Sequence, residues 1–414
     1  MKKFSCFFLT AFIAYSASAQ QYQTGAQKLI TNEDSLNRGT NNSSTVISGY
    51  GSAFYQRNFN QHQSFVTVDR AVLFVGHKFN EKISLFTELE VEHAIVAGTN
   101  SDEHTSGQGD VAMEQAFLKF NLNSHQYIIA GLFTPRIGIT NENHLPVNFN
   151  GVERPMVEQL IIPTTWREIG VGFYGSLDRL PVNYSIAIVN GLNSANFQHD
   201  TGIGEGEGLG SDASANNLAV TASVQYHLTD IKFQVSGYAG GTVGLSPRSS
   251  DSLGLNSGAF GTPLYLGEAD LQYAKNGIGI KVLGTYISYP EAAKLNAAYA
   301  KNTPTGMYGA YAELGFDWLY KKHATEQFIT FARAEMLDMN SSLASNGIYD
   351  GTQKQTHIIA GINYLPIPNI TIKADVRLLH TGPQNPALVI NPPPNALPYK
   401  QNDQFLNIGI GYSF

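Results

Sequence analysis

The sequence predicts an all-β fold: a sixteen-stranded antiparallel transmembrane β-barrel with short periplasmic turns and long extracellular loops. Three observations carry the prediction. Sixteen segments read as strands, and the connections between them alternate short and long. Several strands alternate apolar and polar side chains with a period of two, which gives each two unlike faces. No segment after Ala19 is a run of about 18 apolar residues, so no helix is long enough to span a bilayer. The composition is a glycine- and aromatic-rich mix, with 40 glycines, 21 tyrosines and 23 phenylalanines.

In chain order, Lys2 and Lys3 precede an apolar run from Phe4 to Ala14 and the small residues Ala17-Ser18-Ala19. That is the layout of a cleaved signal peptide, expected over 1–19. Cys6 lies within it, so the mature chain has no thiol and no disulfide chemistry. Without Lys2 and Lys3 the formal charge goes from −7 to −9, which excludes a general nucleic-acid binder. Residues 20–43 are rich in Gln, Asn, Thr and Ser and are expected to form a flexible periplasmic leader.

The barrel is expected over 44–414. Its strands are predicted at 44–56, 64–78, 82–94, 111–122, 126–134, 168–176, 182–192 and 217–227, then 231–240, 264–274, 278–288, 307–319, 326–338, 356–365, 369–380 and 403–414. Seven connections are short and carry turn residues, such as Asn123-Ser124, Lys275-Asn276-Gly277 and Pro366-Ile367-Pro368. They alternate with longer ones, the pattern of a bacterial outer-membrane barrel. The last strand places Leu406, Ile408, Ile410, Tyr412 and Phe414 on one face and Asn407, Gly409, Gly411 and Ser413 on the other. It is expected to close the ring against 44–56, with Phe414 at the periplasmic rim as a barrel-closure and assembly residue.

Strand 82–94 sets Leu85, Leu89 and Val91 against Glu88, Glu90 and Glu92, and strand 369–380 sets Ile372, Val376 and Leu378 against Lys373, Asp375 and Arg377. A Lys or Arg on the lipid face near the midplane costs about 2–4 kcal/mol, so the charged sets belong inside. The expected lumen-facing charges are Arg70, Glu88, Glu90, Glu92, Lys281, Arg333, Glu335, Lys373, Asp375 and Arg377. Such charges either set a transverse field that filters solutes or pair with one another along the wall. Strand 64–78 is irregular, because adjacent Asp69 and Arg70 would fall on opposite faces.

The connection 135–167 is the longest and holds the apolar stretch Pro155 to Pro163, which a solvent loop would not need. It is expected to fold inward as a constriction, with Arg136, Arg154, Glu158 and Arg167 at the narrowest point; the other reading is an extracellular lid. The histidines show no metal-ligand spacing, and no catalytic or metal residue is assigned. Gly202 to Gly210 lacks the strand–helix context of a phosphate loop. Asp102, Glu103 and His104 read as a solvated loop; Asp200, Glu205, Glu207 and Asp212 read as an acidic loop that could hold Ca²⁺ or bridge lipopolysaccharide.

Several pieces, in order, resemble the phosphate-selective porin O and P family. These are Gly131-Leu-Phe-Thr-Pro135-Arg-Ile-Gly138, Trp166-Arg-Glu-Ile-Gly170, Tyr184 to Gly191, Phe331-Ala-Arg333-Ala-Glu335 and Gly361-Ile-Asn-Tyr364-Leu-Pro366. The resemblance implies a commonly trimeric outer-membrane channel with an inward third loop. The family's arginine ladder is not assembled here, since Glu88, Glu90 and Glu92 occupy one strand. The expected function is a Gram-negative outer-membrane porin passing small polar or ionic solutes, with phosphate or other anions among them. It needs no cofactor and is not an enzyme; its expected partners are lipid, lipopolysaccharide and the barrel-assembly machinery. The alternatives are a barrel protease or phospholipase, which needs a compact Ser/His/Asp group at the rim, and a structural or adhesion barrel.

Overall fold

Sixteen strands close into one antiparallel ring, each bonded to its neighbours in sequence. The computed structural model describes residues 22–31, 44–92, 110–208, 210, 213–323, 325–389 and 398–414. The predicted signal peptide, residues 32–43 of the leader, the group Asp102, Glu103 and His104, and Asp212 lie outside the described residues. The strands are β1 (Thr45–Asn58), β2 (Gln63–Lys78), β3 (Ile83–Glu92), β4 (Asp110–Asn121), β5 (Gln126–Phe133) and β6 (Glu168–Ser176). They continue with β7 (Val182–Asn190), β8 (Leu218–His227), β9 (Ile231–Gly240), β10 (Leu264–Lys275) and β11 (Ile278–Ser288). The last five are β12 (Gly306–Asp317), β13 (Gln327–Ser342), β14 (Lys354–Ile367), β15 (Ile370–Thr381) and β16 (Asn402–Ser413).

Closure is the predicted one. β16 pairs with β1 from Tyr50 opposite Ser413 to Asn58 opposite Phe405. Phe414 extends the ladder, because its N–H donates to Gly49 O at 2.8 Å and its carbonyl accepts from Gly49 N at 3.0 Å. The short turns are tight for a chemical reason. Between β10 and β11, Asn276 and Gly277 both take left-handed φ, 53° and 80°, which matches a two-residue hairpin to the strand twist.

The two faces separate as the period-two pattern requires. Apolar side chains point outward, with Val66 77 % exposed and Leu314 55 % exposed, while Glu88 inside is fully buried. An apolar band this continuous is stable only against lipid or another apolar surface.

Two β-bulges break the alternation and matter for what lies inside. In β2 the register shifts between Ser52 and Ala53 of the partner strand, leaving Asp69 as the extra residue. Asp69 and Arg70 therefore both turn inward, where Ser52 Oγ donates to Asp69 at 2.9 Å and Arg70 Nε lies 3.1 Å from it. In β4 the shift falls opposite Glu88 and Leu89, and Glu114 is the extra residue. Glu114 and Gln115 are consequently both buried inside, while Met113 stays outside.

The expectation of a flexible leader fails over residues 22–31. Helix α1 (Gly25–Thr31) packs on β1, β2 and β3 from within the ring. Thr24-Gly25-Ala26-Gln27 is a capping box: Gln27 Oε1 accepts from Thr24 N at 2.9 Å while Thr24 Oγ1 accepts from Gln27 N at 3.5 Å. Ala26 is fully buried, and its N–H donates to the inward Ser48 hydroxyl at 3.1 Å.

Candidate functional site

The interior of the ring is organised by residues 134–167, which link β5 to β6 and cross to the opposite wall. This segment carries helix α2 (Met156–Leu160). Its apolar side chains Ile137, Leu145, Val157, Ile161, Ile162 and Trp166 are all buried, which explains the apolar content that singled it out. Glycines on the wall make room for it. A Cβ at Gly309 in β12 would lie 2.6 Å from Val157 Cγ1, and one at Gly411 in β16 would lie 2.5 Å from Pro146 Cβ. The small inward face of the closing strand is thus a seat for the loop.

Polar groups fix the crossing. Lys281 Nζ donates to Asn148 O at 2.8 Å, and Lys373 Nζ donates to Phe149 O and Gly151 O, both at 2.8 Å. Arg333 Nη1 donates to Asn150 O at 3.0 Å. In the other direction, Asp375 accepts from Val152 N at 2.7 Å and Glu335 accepts from Val157 N at 3.0 Å. A loop backbone inside a barrel has few waters to satisfy it, so the wall supplies the partners.

Of the charges expected to face the lumen, Glu88, Glu90, Arg333, Glu335, Lys373, Asp375 and Arg377 are buried, and most of the set have partners. Arg70 bridges Glu90 at 3.2 Å and Glu92 at 3.1 Å. Arg333 bridges Glu313 at 3.1 Å and Glu335 at 2.8 Å, and Arg377 lies 3.3 Å from Glu153 of the loop. Glu88 accepts from Gln115 at 2.6 Å. Their principal role in the structure is to hold strands together and anchor the loop.

The four residues expected at a constriction have separate positions. Glu158 does not line an opening: it is fully buried and accepts from Ile139 N (3.0 Å), Thr140 N (2.6 Å), Thr140 Oγ1 (2.8 Å) and Tyr311 OH (2.7 Å). The chain folds round this carboxylate because it alone satisfies two loop N–H groups. Arg154 donates to Thr165 at 3.0 Å beside a cavity of about 100 Å³ that Asp69, Arg70 and His144 also line. Arg167 reaches Glu114 at 3.2 Å. Arg136 forms a forked pair with Glu142, at 2.9 Å and 2.7 Å, over the ring of Tyr174. Burial opposes charge on both, but each holds the other ionised: Arg136 is raised above its ordinary range and Glu142 lowered below its own. With 43 % of the Glu142 side chain exposed, water screens the pair.

Space remains on the other side of the barrel. A cavity of about 630 Å³ runs along the inner faces of β4 to β9 to the end that carries the short turns. Its charged lining residues are Arg136, Glu142 and Lys232. Lys232 has no ion pair among the described residues, whereas Arg136 and Glu142 neutralise each other.

Two groupings escaped sequence reasoning. Glu88, Glu114 and His144 meet beneath the loop, each with its side chain 3 % exposed or less. Strict alternation puts Glu114 outside, and only the bulge brings it in. Burial would lower the His144 pKa, but Glu114 and Glu88 push it up to about 9. At the short-turn rim, Ser176 Oγ lies 3.4 Å from His125 Nδ1, whose Nε2 lies 3.2 Å from Asp178. That trio comes from two adjacent turns, and its His and Asp side chains are 47 % and 72 % exposed.

No protein-family model matches the chain. An uncharacterized protein of Aquifex aeolicus is 29 % identical over 345 residues, spanning 80 % of this chain and 74 % of its own. Among solved structures, OmpF of Salmonella typhi superposes with a TM-score of 0.52 at 12 % identity, covering 89 % of this chain and 97 % of its own. The anion-selective porin from Comamonas acidovorans gives 0.50 at 9 % identity over 90 % and 99 % of the two chains. A loop-deletion form of OmpT, an outer membrane protein of Vibrio cholerae, gives 0.51 at 11 % over 90 % and 100 %. At these identities the likeness is one of fold: the ring is the barrel of outer-membrane proteins.

Proposed function

We propose that this chain is a porin of a Gram-negative outer membrane, through which small polar or ionic solutes diffuse along the inner faces of β4 to β9. The observation that carries the reading is the polar cavity of about 630 Å³ inside a ring whose outer surface is apolar. α1 and the inner loop occupy the sides toward β1–β3 and β11–β16, so the solute path is eccentric and narrow. Lys232 is the cation left without an ion pair among the described residues there, and it favours anions, phosphate among them. The barrel likeness to the anion-selective porin is in keeping with this reading. One solved relative in fold, OmpT of Vibrio cholerae, is described in a trimer form, and we extend a homotrimer to this chain. Export by a cleaved signal peptide, insertion by the barrel-assembly machinery and packing against lipopolysaccharide complete the proposal. It needs no cofactor and no chemical step. Purified protein in a planar bilayer tests it: discrete conductance steps with an anion-sided reversal potential support it, and a silent bilayer refutes it.

A hydrolase is the second reading, favoured by Ser176, His125 and Asp178. We rank it below the porin because an orienting carboxylate works when buried against its histidine, and Asp178 is open to water. Labelling of Ser176 by a fluorophosphonate, lost in Ser176→Ala, would reverse the ranking.

A further inference from the structure

We infer that Glu88, Glu114 and His144 form a binding site for one divalent transition-metal ion, with Zn²⁺ the type ion, which ties the inner loop to the barrel wall. The three residues come from β3, from the bulge of β4 and from the loop, so no sequence spacing announces them. The inference goes beyond the porin reading and does not depend on it.

The geometry is that of a coordination shell. His144 Nε2 lies 3.3 Å from Glu88 Oε1 and 3.3 Å from Glu114 Oε2. One ligand atom from each residue falls within 4.8 Å of the others. Zn–N and Zn–O bonds of about 2.0–2.2 Å place two ligands of a tetrahedron about 3.3–3.6 Å apart. The two separations from His144 match that edge.

The inward atoms are also the ones without hydrogen bonds. Glu88 Oε1, Glu114 Oε2 and His144 Nε2 are all buried, and among the described residues none makes a hydrogen bond of acceptable geometry. The remaining polar atom of each side chain is engaged elsewhere. Glu88 Oε2 accepts from Gln115 Nε2 at 2.6 Å, Glu114 Oε1 accepts from Arg167 Nη1 at 3.2 Å, and His144 Nδ1 lies 3.5 Å from Asn141 O. A ring Nδ1–H directed at a backbone carbonyl leaves the Nε2 lone pair for a metal, the usual outer-shell arrangement of a ligating histidine.

The rival occupant is a proton, making His144 an imidazolium between two carboxylates. An imidazolium has a single Nε2–H and can direct it at one oxygen, yet two oxygens stand at equal distance. A dication answers both at once and neutralises both carboxylates. The donor set, two hard oxygens and an imidazole with no thiolate, suits Zn²⁺ or Mn²⁺ and disfavours Cu⁺. The fourth tetrahedral position falls to water.

The test uses the full folded protein in detergent, stripped with EDTA, dialysed and titrated with Zn²⁺ and separately with Mn²⁺. Bound metal is measured by equilibrium dialysis with mass spectrometry. One equivalent of Zn²⁺ or Mn²⁺ per chain is expected, with affinity falling at least tenfold in Glu114→Gln and in His144→Gln. His125→Ala, far from the cluster, is expected to bind as the parent does. Co²⁺ added to the parent protein supplies a readout that needs no variant: an intense visible d–d band of a four-coordinate N/O site. Sub-stoichiometric binding of both ions, or equal binding by the parent and folded Glu114→Gln, overturns the inference and leaves His144 as a protonated ion-pair partner only.

Discussion

Replacing Glu158 by alanine is predicted to free the inner loop without opening the barrel wall. The carboxylate accepts from two loop N–H groups, one loop hydroxyl and the Tyr311 hydroxyl across the lumen, all between 2.6 and 3.0 Å. Alanine leaves all four donors buried. The two hydroxyls can re-aim; the N–H groups of Ile139 and Thr140 cannot. At about 1–3 kcal/mol for each buried donor left unmatched, the loop loses about 2–6 kcal/mol in its seated position. Part of this is offset, since a buried carboxylate no longer has to be desolvated. A net loss of about 2 kcal/mol multiplies the unseated population about thirtyfold. The ring itself keeps every strand pairing, so the heat-modifiable gel mobility of a folded barrel is expected to be unchanged. Single-channel recording is expected to show larger and noisier steps than the parent protein. Steps of parental size and quietness from a folded Glu158→Ala protein would refute the assignment of Glu158 as the loop's anchor.

Other perturbations follow from the same geometry. Lys232→Glu, which reverses the cavity's cation that has no ion pair among the described residues, is expected to move the reversal potential in a salt gradient toward cation preference; an unmoved potential places the solute path elsewhere. Gly411→Val puts a branched side chain where even a Cβ would be 2.5 Å from Pro146 Cβ, so it is expected to unseat the loop and raise conductance. Deleting Phe414 removes two backbone hydrogen bonds to Gly49 and a ring that covers it, and is expected to lower the folded yield more than the conductance of the protein that does fold.

The ring was legible in the sequence because its determinants are local and periodic. Leu89 against Glu88 and Glu90, or Ile410 against Gly409 and Gly411, needs only a period of two, and the strand ends fall near the turn residues that mark them. Glu114 was illegible because a bulge is one extra residue in a regular strand, and its inward turn depends on the partner strand's register. The same holds for Asp69, whose awkward position beside Arg70 was the visible symptom of a bulge. The inward fold of 135–167 could be read from its apolar stretch, but its attachment could not. Lys281, Lys373 and Arg333 bind backbone carbonyls of the loop, and a carbonyl has no sequence signature. Charges that read as free lumen lining are therefore mostly anchors. The capping box at Thr24 to Gln27 is a local signal, but it sits in a stretch whose Gln-, Asn-, Thr- and Ser-rich composition predicts no structure.

A porin requires a water-filled path through the ring beside the seated loop. Single-channel current from the purified protein in a planar bilayer with symmetric KCl measures that path. Discrete, small, ohmic steps are expected of a lumen that α1 and the loop narrow from two sides. A folded, membrane-inserted protein that passes no current would contradict it.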